Sequence, residues 1–191
     1  MKYFFLLLSF GLLFQLSAQE FEIDPGHTFI QFSVERFATV DVKGRFNAFT
    51  GTLSYDAEKN TISDVRISID VSSIDTGHEI RDGHLTGEIW LDAVAFPEII
   101  FVAEAFTSTD QGYLAKGQLT IHGVTQDVEI PFRMNGPMVD PTKANAIGIS
   151  GTLKIDRQDY GIKFSRILDN GKLFIGNDVE ITIDALAIAK T

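Results

Sequence analysis

Apolar and polar residues alternate with period two along most of this chain. Such a chain buries its apolar set as strands with one face turned inward. Val65, Ile67, Ile69 and Val71 alternate with Arg66, Ser68, Asp70 and Ser72. Val124, Val128, Ile130 and Phe132 alternate with Thr125, Asp127, Glu129 and Arg133, and Val179, Ile181, Ile183 and Ala185 with Glu180, Thr182 and Asp184. Further strands are predicted over 28–35, 45–56, 98–106, 112–121 and 145–156, which makes eight in all. Long antiparallel strands with one apolar face must close on themselves or double over to hide their edges. The fold class is therefore all-β, either a barrel or a two-sheet sandwich. An eight-stranded barrel has room for side chains alone or for one small ligand.

The connections carry turn chemistry. His122-Gly123 forms a two-residue hairpin turn between two of the runs, because glycine tolerates positive φ. Asp169-Asn170-Gly171-Lys172 is a second turn signal. Pro131 inside a strand run predicts an edge or a bulge there. One short helix is predicted over 77–88, capped by Thr76 with Glu79 three residues on, as in a capping box. Ile80, Leu85 and Ile89 would face inward, while Gly83 and Gly87 weaken the helix. It would pack across one opening of the sheet.

At 191 residues the chain is read as one domain. It has no cysteine, which excludes disulfides, iron–sulfur clusters, thiolate zinc sites and thiol catalysis. Sixteen Lys and Arg against 26 Asp and Glu give a net charge of −10, the wrong balance for nucleic acid or for general attraction to an anionic membrane. Lys2, the mostly apolar run 3–14 and the small residues up to Ala18 read as a secretory leader over 1–19, leaving 20–191 as the barrel domain. The run is short of the roughly 20 residues that span a bilayer, so no stable membrane insertion is expected. The expected location is exported, with the periplasm first and full secretion second.

No residue set spells out catalysis. His78 and His84, six apart, point to nearly opposite faces of a helix and cannot share one ion. Arg81, Asp82 and His84 are read as tying the helix to nearby strands through charge-assisted hydrogen bonds. Asp156 and Asp159 flank Arg157 and read as a salt-bridged strand end, and His27 and His122 as turn residues. Gly148-Ile149-Ser150-Gly151 lacks the spacing of a nucleophile elbow. No catalytic residue, metal ligand or cofactor is expected. Two rival readings stand beside a ligand-binding barrel. One is an enzyme using His84 with Asp82 or Asp92, and the other a solid-core interaction domain without ligand.

Several stretches together resemble the YceI-like family of periplasmic, lipocalin-like polyisoprenoid-binding proteins. They are Asp24-Pro25-Gly26-His27-Thr28, Gly44-Arg45-Phe46, Phe49-Thr50-Gly51-Thr52-Leu53, Arg81-Asp82-Gly83-His84-Leu85 with Asp92 and Phe96-Pro97, Gly117 to Thr125, and Asp156-Arg157-Gln158-Asp159-Tyr160-Gly161. The likeness runs from about 24 to 187. Arg36-Phe37-Ala38 and Gln126-Asp127 depart from the family's usual residues. The resemblance implies an eight-stranded antiparallel lipocalin-like barrel with a short helix near one end. It also implies non-catalytic binding, carriage or storage of a long isoprenoid or isoprenoid quinone.

The expected apolar lining is Phe32, Phe46, Ile67, Ile69, Phe101, Leu119, Val128, Ile130, Phe132, Ile149, Leu153 and Ile181, with Arg81, His84 and Arg157 as polar groups at the mouth. The partner is a long-chain lipid. A homodimer is raised by the interruption expected at Pro131.

Overall fold

The alternation becomes a ring of strands. The structure, a computed structural model, describes residues 18–190, so the expected leader lies outside the described residues apart from its last two positions. The strands are β1 (Gln19–Ile23), β2 (Phe29–Arg36), β3 (Val40–Phe46), β4 (Phe49–Asp56), β5 (Thr61–Asp70), β6 (Ile74–Asp75), β7 (Glu98–Thr109), β8 (Gly112–Ile121), β9 (Val124–Val139), β10 (Asn145–Asp156) and β11 (Ile175–Ala189). All pairings are antiparallel. β1, β4, β5, β7, β8, β9, β10 and β11 follow one another, and β11 returns to β1 to close an eight-stranded barrel. Closure removes the free edges that open sheets must protect.

β1 and β2 lie end to end on the same edge of β11, as Phe21↔Ala189 and Val34↔Val179 show. They are one long strand broken by the 3-10 turn Pro25–His27. Asp24 caps that turn by accepting from the Gly26 N–H at 2.8 Å, and its other oxygen meets His27 Nδ1 at 2.6 Å. β3 and β4 are likewise one strand interrupted at 47–48. β2–β3–β6 therefore extends the wall at one end of the barrel. Beyond Arg45, among the described residues, β3 has no strand on its far side. The helix α1 (Glu79–Leu85) packs on β6, and residues of α1 and of the loop 86–97 border the barrel interior at this end.

Three local expectations need correction. α1 is shorter than 77–88, and His78 caps it, its side chain accepting from the Arg81 N–H at 3.3 Å. Thr76 cannot cap, because its N–H donates to Asp82 at 2.9 Å and its hydroxyl is bound to the same carboxylate oxygen. Ile80 and Ile89 do not face a packed interior, being 68% and 64% exposed. Pro131 is not a bulge, since Leu114↔Pro131 is in register, but it does stand at a local edge, where Val124–Pro131 of β9 pairs with β8 alone. The β9–β10 ladder ends one residue away, at Gly151↔Phe132, so the missing N–H interrupts no pair.

The hairpin turn forms as expected. Ile121 pairs with Val124 across His122 and Gly123, both at positive φ. Glycine is required here twice over, since a Cβ on Gly123 would stand 2.4 Å from the Phe96 ring.

Candidate functional site

Inward parity holds around the barrel, but the interior is not uniform along its axis. One end is solid. Phe21, Leu53, Ile147 and Ala187 are completely or almost completely buried there. Phe132 stacks on Tyr113 at 5.3 Å and meets Phe106 edge-on at 6.2 Å, while Phe21 packs edge-on against Tyr55 at 6.0 Å. The other end is hollow. A cavity of about 610 Å³ opens beside α1, within the range typical of small-molecule sites.

Of the expected lining, Phe32, Phe46, Ile67, Ile69, Phe101, Leu119, Ile130, Leu153 and Ile181 border the cavity. Val128, Phe132 and Ile149 do not, and these three are corrected to core residues. They point inward like the others. Phe132 lies in the aromatic stack of the closed end, Ile149 pairs with Met134 and Ala185 next to Ile147, and Val128 lies on the stretch of β9 packed against the 3-10 turn Arg157–Tyr160. Side-chain parity decides inside against outside, and it leaves depth along the barrel unspecified.

Polar groups converge on the open end. Arg81 borders the cavity, but Thr76 anchors it: Arg81 Nε donates to the Thr76 hydroxyl at 2.7 Å and Nη2 to the Thr76 carbonyl at 2.8 Å. With Asp82 also bound to Thr76, these two residues tie α1 to the chain after β6. His84 is different. It is exposed in the last turn of α1, reaches the cavity, and makes no side-chain hydrogen bond among the described residues. Asp82 therefore does not orient His84 as an acid–base pair requires, and Asp92 accepts from the Ala95 N–H instead.

Arg157 is not salt-bridged, which corrects that expectation, and it borders the cavity from beneath the mouth. It is 4% exposed beneath the mouth. The Asp156 carboxylate caps the 3-10 turn by accepting from the Gln158 N–H at 2.8 Å. Arg157 donates to three neutral acceptors: the Gly176 carbonyl at 3.0 Å, the Ile162 carbonyl at 2.7 Å and Asn177 Oδ1 at 3.0 Å. Its guanidinium is thus a buried cation with no carboxylate in hydrogen-bond contact, and burial lowers its pKa from the usual arginine value. The neighbouring Tyr160 phenol is pushed up to about 12 by burial, with the Asp159 charge adding to the effect. Both side chains border the cavity.

Trp90, Tyr160, Ile162 and Phe174 also line the open end, and sequence reasoning missed them. All four lie in turns or loops without periodicity. For Trp90, Tyr160 and Phe174 the only signal was a large aromatic residue in a connection, and Ile162 gave none. Among the described residues, no group of three or more His, Asp or Glu is placed to hold a metal ion.

A closed antiparallel barrel with one sealed, aromatic-filled end and one hollow, apolar end defines a lipocalin-like cavity protein. The chain belongs to the YceI-like domain family, which it matches over residues 21–187. It is 34% identical over 160 residues to a UPF0312 protein of Pseudomonas syringae pv. syringae, covering 82% of each chain. It is 32% identical over 153 residues to a UPF0312 protein of Vibrio cholerae, covering 78% of this chain and 81% of that one. Among solved structures, the fold is similar to Burkholderia cenocepacia BcnA, with a TM-score of 0.73, 23% identity, and coverage of 86% of this chain and 98% of that one. It is also similar to a polyisoprenoid-binding domain from Saccharophagus degradans implicated in plant cell wall breakdown, with a TM-score of 0.63, 15% identity, and coverage of 91% and 99%.

Proposed function

We propose that this protein binds and carries one long hydrophobic molecule, an isoprenoid chain or isoprenoid quinone, without transforming it. The observation that carries this reading is the hollow half of the barrel, an apolar cavity of about 610 Å³ open at one end. Each methylene taken from water into such a space contributes roughly 0.8 kcal/mol, so a long tail binds without directed contacts. The family and the name of the Saccharophagus neighbour support a polyisoprenoid cargo.

The tail enters past Ile80 and lies against Phe32, Phe46, Phe101 and Ile181. A polar head stays at the open end, where His84, Arg81 and the unused N–H groups of Arg157 can donate to it. Carriage takes place in an exported compartment, the periplasm, after removal of 1–19. No step of this role calls on a cofactor.

Organic extraction of the purified, exported protein followed by mass spectrometry tests the proposal. One prenyl or quinone species per chain is expected. An extract free of any long-chain molecule, from protein made in cells that contain isoprenoid lipids, would overturn it.

A further inference from the structure

The lip of the cavity gathers positive charge in a chain that is acidic as a whole. The turn between β2 and β3 meets the loop 161–174 there. The Phe37 N–H donates to the Phe174 carbonyl at 3.1 Å, and the two rings pack edge to face at 4.8 Å. Arg36 lies over both rings, 4.7 and 5.2 Å from their centroids, and Arg166 stands 5.2 Å from Phe174. Lys163 and Lys172 lie on the same loop, exposed. Among the described residues none of these four cations forms an ion pair; Arg45, Lys59, Lys116, Lys154 and Lys190 each do, and Lys43, Arg66, Arg81, Arg133, Lys143 and Arg157 do not.

The loop holds three cations against one carboxylate, Asp169, in a protein of net charge −10. Glu35 and Asp41 face each other behind the turn, on the strands instead of at the tip. Between the cations project three apolar side chains, Phe37, Val40 and Ile167, 36%, 57% and 68% exposed.

We propose that this lip docks the protein, reversibly and mouth first, on an anionic lipid bilayer. Apolar tips ringed by unpaired cations suit the boundary between head groups and acyl chains, where the side chains enter and the cations take lipid phosphates. The overall negative charge makes the contact oriented. A lip-first approach brings the four lip cations within the screening length of about 8–10 Å. Arg36 and Phe174 also line the cavity, so the docking surface is continuous with the mouth. A chain leaving the bilayer passes from the acyl region into the barrel without crossing water. This inference rests on the carrier reading above and adds where the cargo is taken up.

Sedimentation with phosphatidylcholine vesicles, with and without about one-third phosphatidylglycerol, tests it. The full exported protein is expected to bind only the anionic vesicles, and to release at high salt. The double variant Arg166→Glu with Lys172→Glu is expected to lose more than tenfold in partitioning, because each cation at such a surface is worth about fivefold. Neither side chain lines the cavity, so the variant keeps its affinity for a soluble fluorescent long-chain probe. Wild-type protein that does not prefer anionic vesicles, or a double variant that binds them undiminished, overturns the docking proposal. Wild-type protein that binds the vesicles and takes up no probe leaves docking intact and sinks the carrier reading instead.

Discussion

The guanidinium of Arg157 stands 5.6 Å from the centroid of the Trp90 indole, and both side chains border the cavity. A buried cation thus bridges a loop aromatic, the first residues of β11 and the Ile162 carbonyl, and fixes the open end of the barrel. Removing it leaves three acceptors without their donor. Arg157→Met is expected to destabilise the fold by about 3 kcal/mol. Arg157→Lys should do nearly as badly, because an ammonium cannot reproduce the fork. Urea denaturation midpoints check this, and an unchanged midpoint for either variant would contradict it.

Tyr160 predicts an alkaline signature. Its folded-state pKa, near 12, lies above the ordinary tyrosine value of about 10. Between those values the unfolded chain gives up the proton first, so the stabilising contribution is complete below about pH 10 and is lost as pH rises towards 12. The loss amounts to about 2–3 kcal/mol. Urea melts at about pH 9 and about pH 11.5 should therefore show the wild type losing roughly 2 kcal/mol more than Tyr160→Phe across the interval. Equal losses in the two proteins would remove the assignment.

The two halves of the barrel should respond differently to truncation. Phe132, 7% exposed in the aromatic stack, should lose about 3–5 kcal/mol as Phe132→Ala. Ile181 already borders empty space and has fewer contacts to forfeit, so Ile181→Ala should lose only about 1–2 kcal/mol. Chemical denaturation of the ligand-free proteins measures both. A larger loss at Ile181 would mean that the hollow half is in fact packed.

Gly123 should tolerate no side chain. Its φ of 71° and the Phe96 ring, 2.4 Å from where a methyl group would stand, act together. Gly123→Ala is expected to destabilise by more than about 1 kcal/mol, read from the thermal midpoint. A variant as stable as wild type would show that the β8–β9 turn can relax.

The strands and the His122-Gly123 turn were legible because period two is a direct statement about which side chains share a face, while the choice of barrel over sandwich came only from the family resemblance. The break at Pro25–His27 was not, because a strand interrupted by a capped turn and resumed looks like a loop followed by a new strand. Nor was the division of the interior. Ile130 and Phe132 are neighbours on one face of β9, yet one lines the cavity and the other closes it. That difference depends on which strands converge at each depth. Arg157 was legible as a residue of interest and misread in its role. Acidic neighbours in sequence suggested ion pairs, but the 3-10 turn gives the Asp156 carboxylate to the backbone and sends the guanidinium the other way.

Titration of the delipidated protein with a long-chain isoprenoid alcohol, followed through the fluorescence of Trp90, tests cargo binding in the hollow half most directly. Trp90 is the single tryptophan of the chain and borders the cavity. Saturation at one molecule per chain is expected, with loss of that binding in a folded Ala185→Phe variant, whose ring would occupy the hollow. No saturable signal from the wild type, or equal binding by the plugged variant, would contradict it.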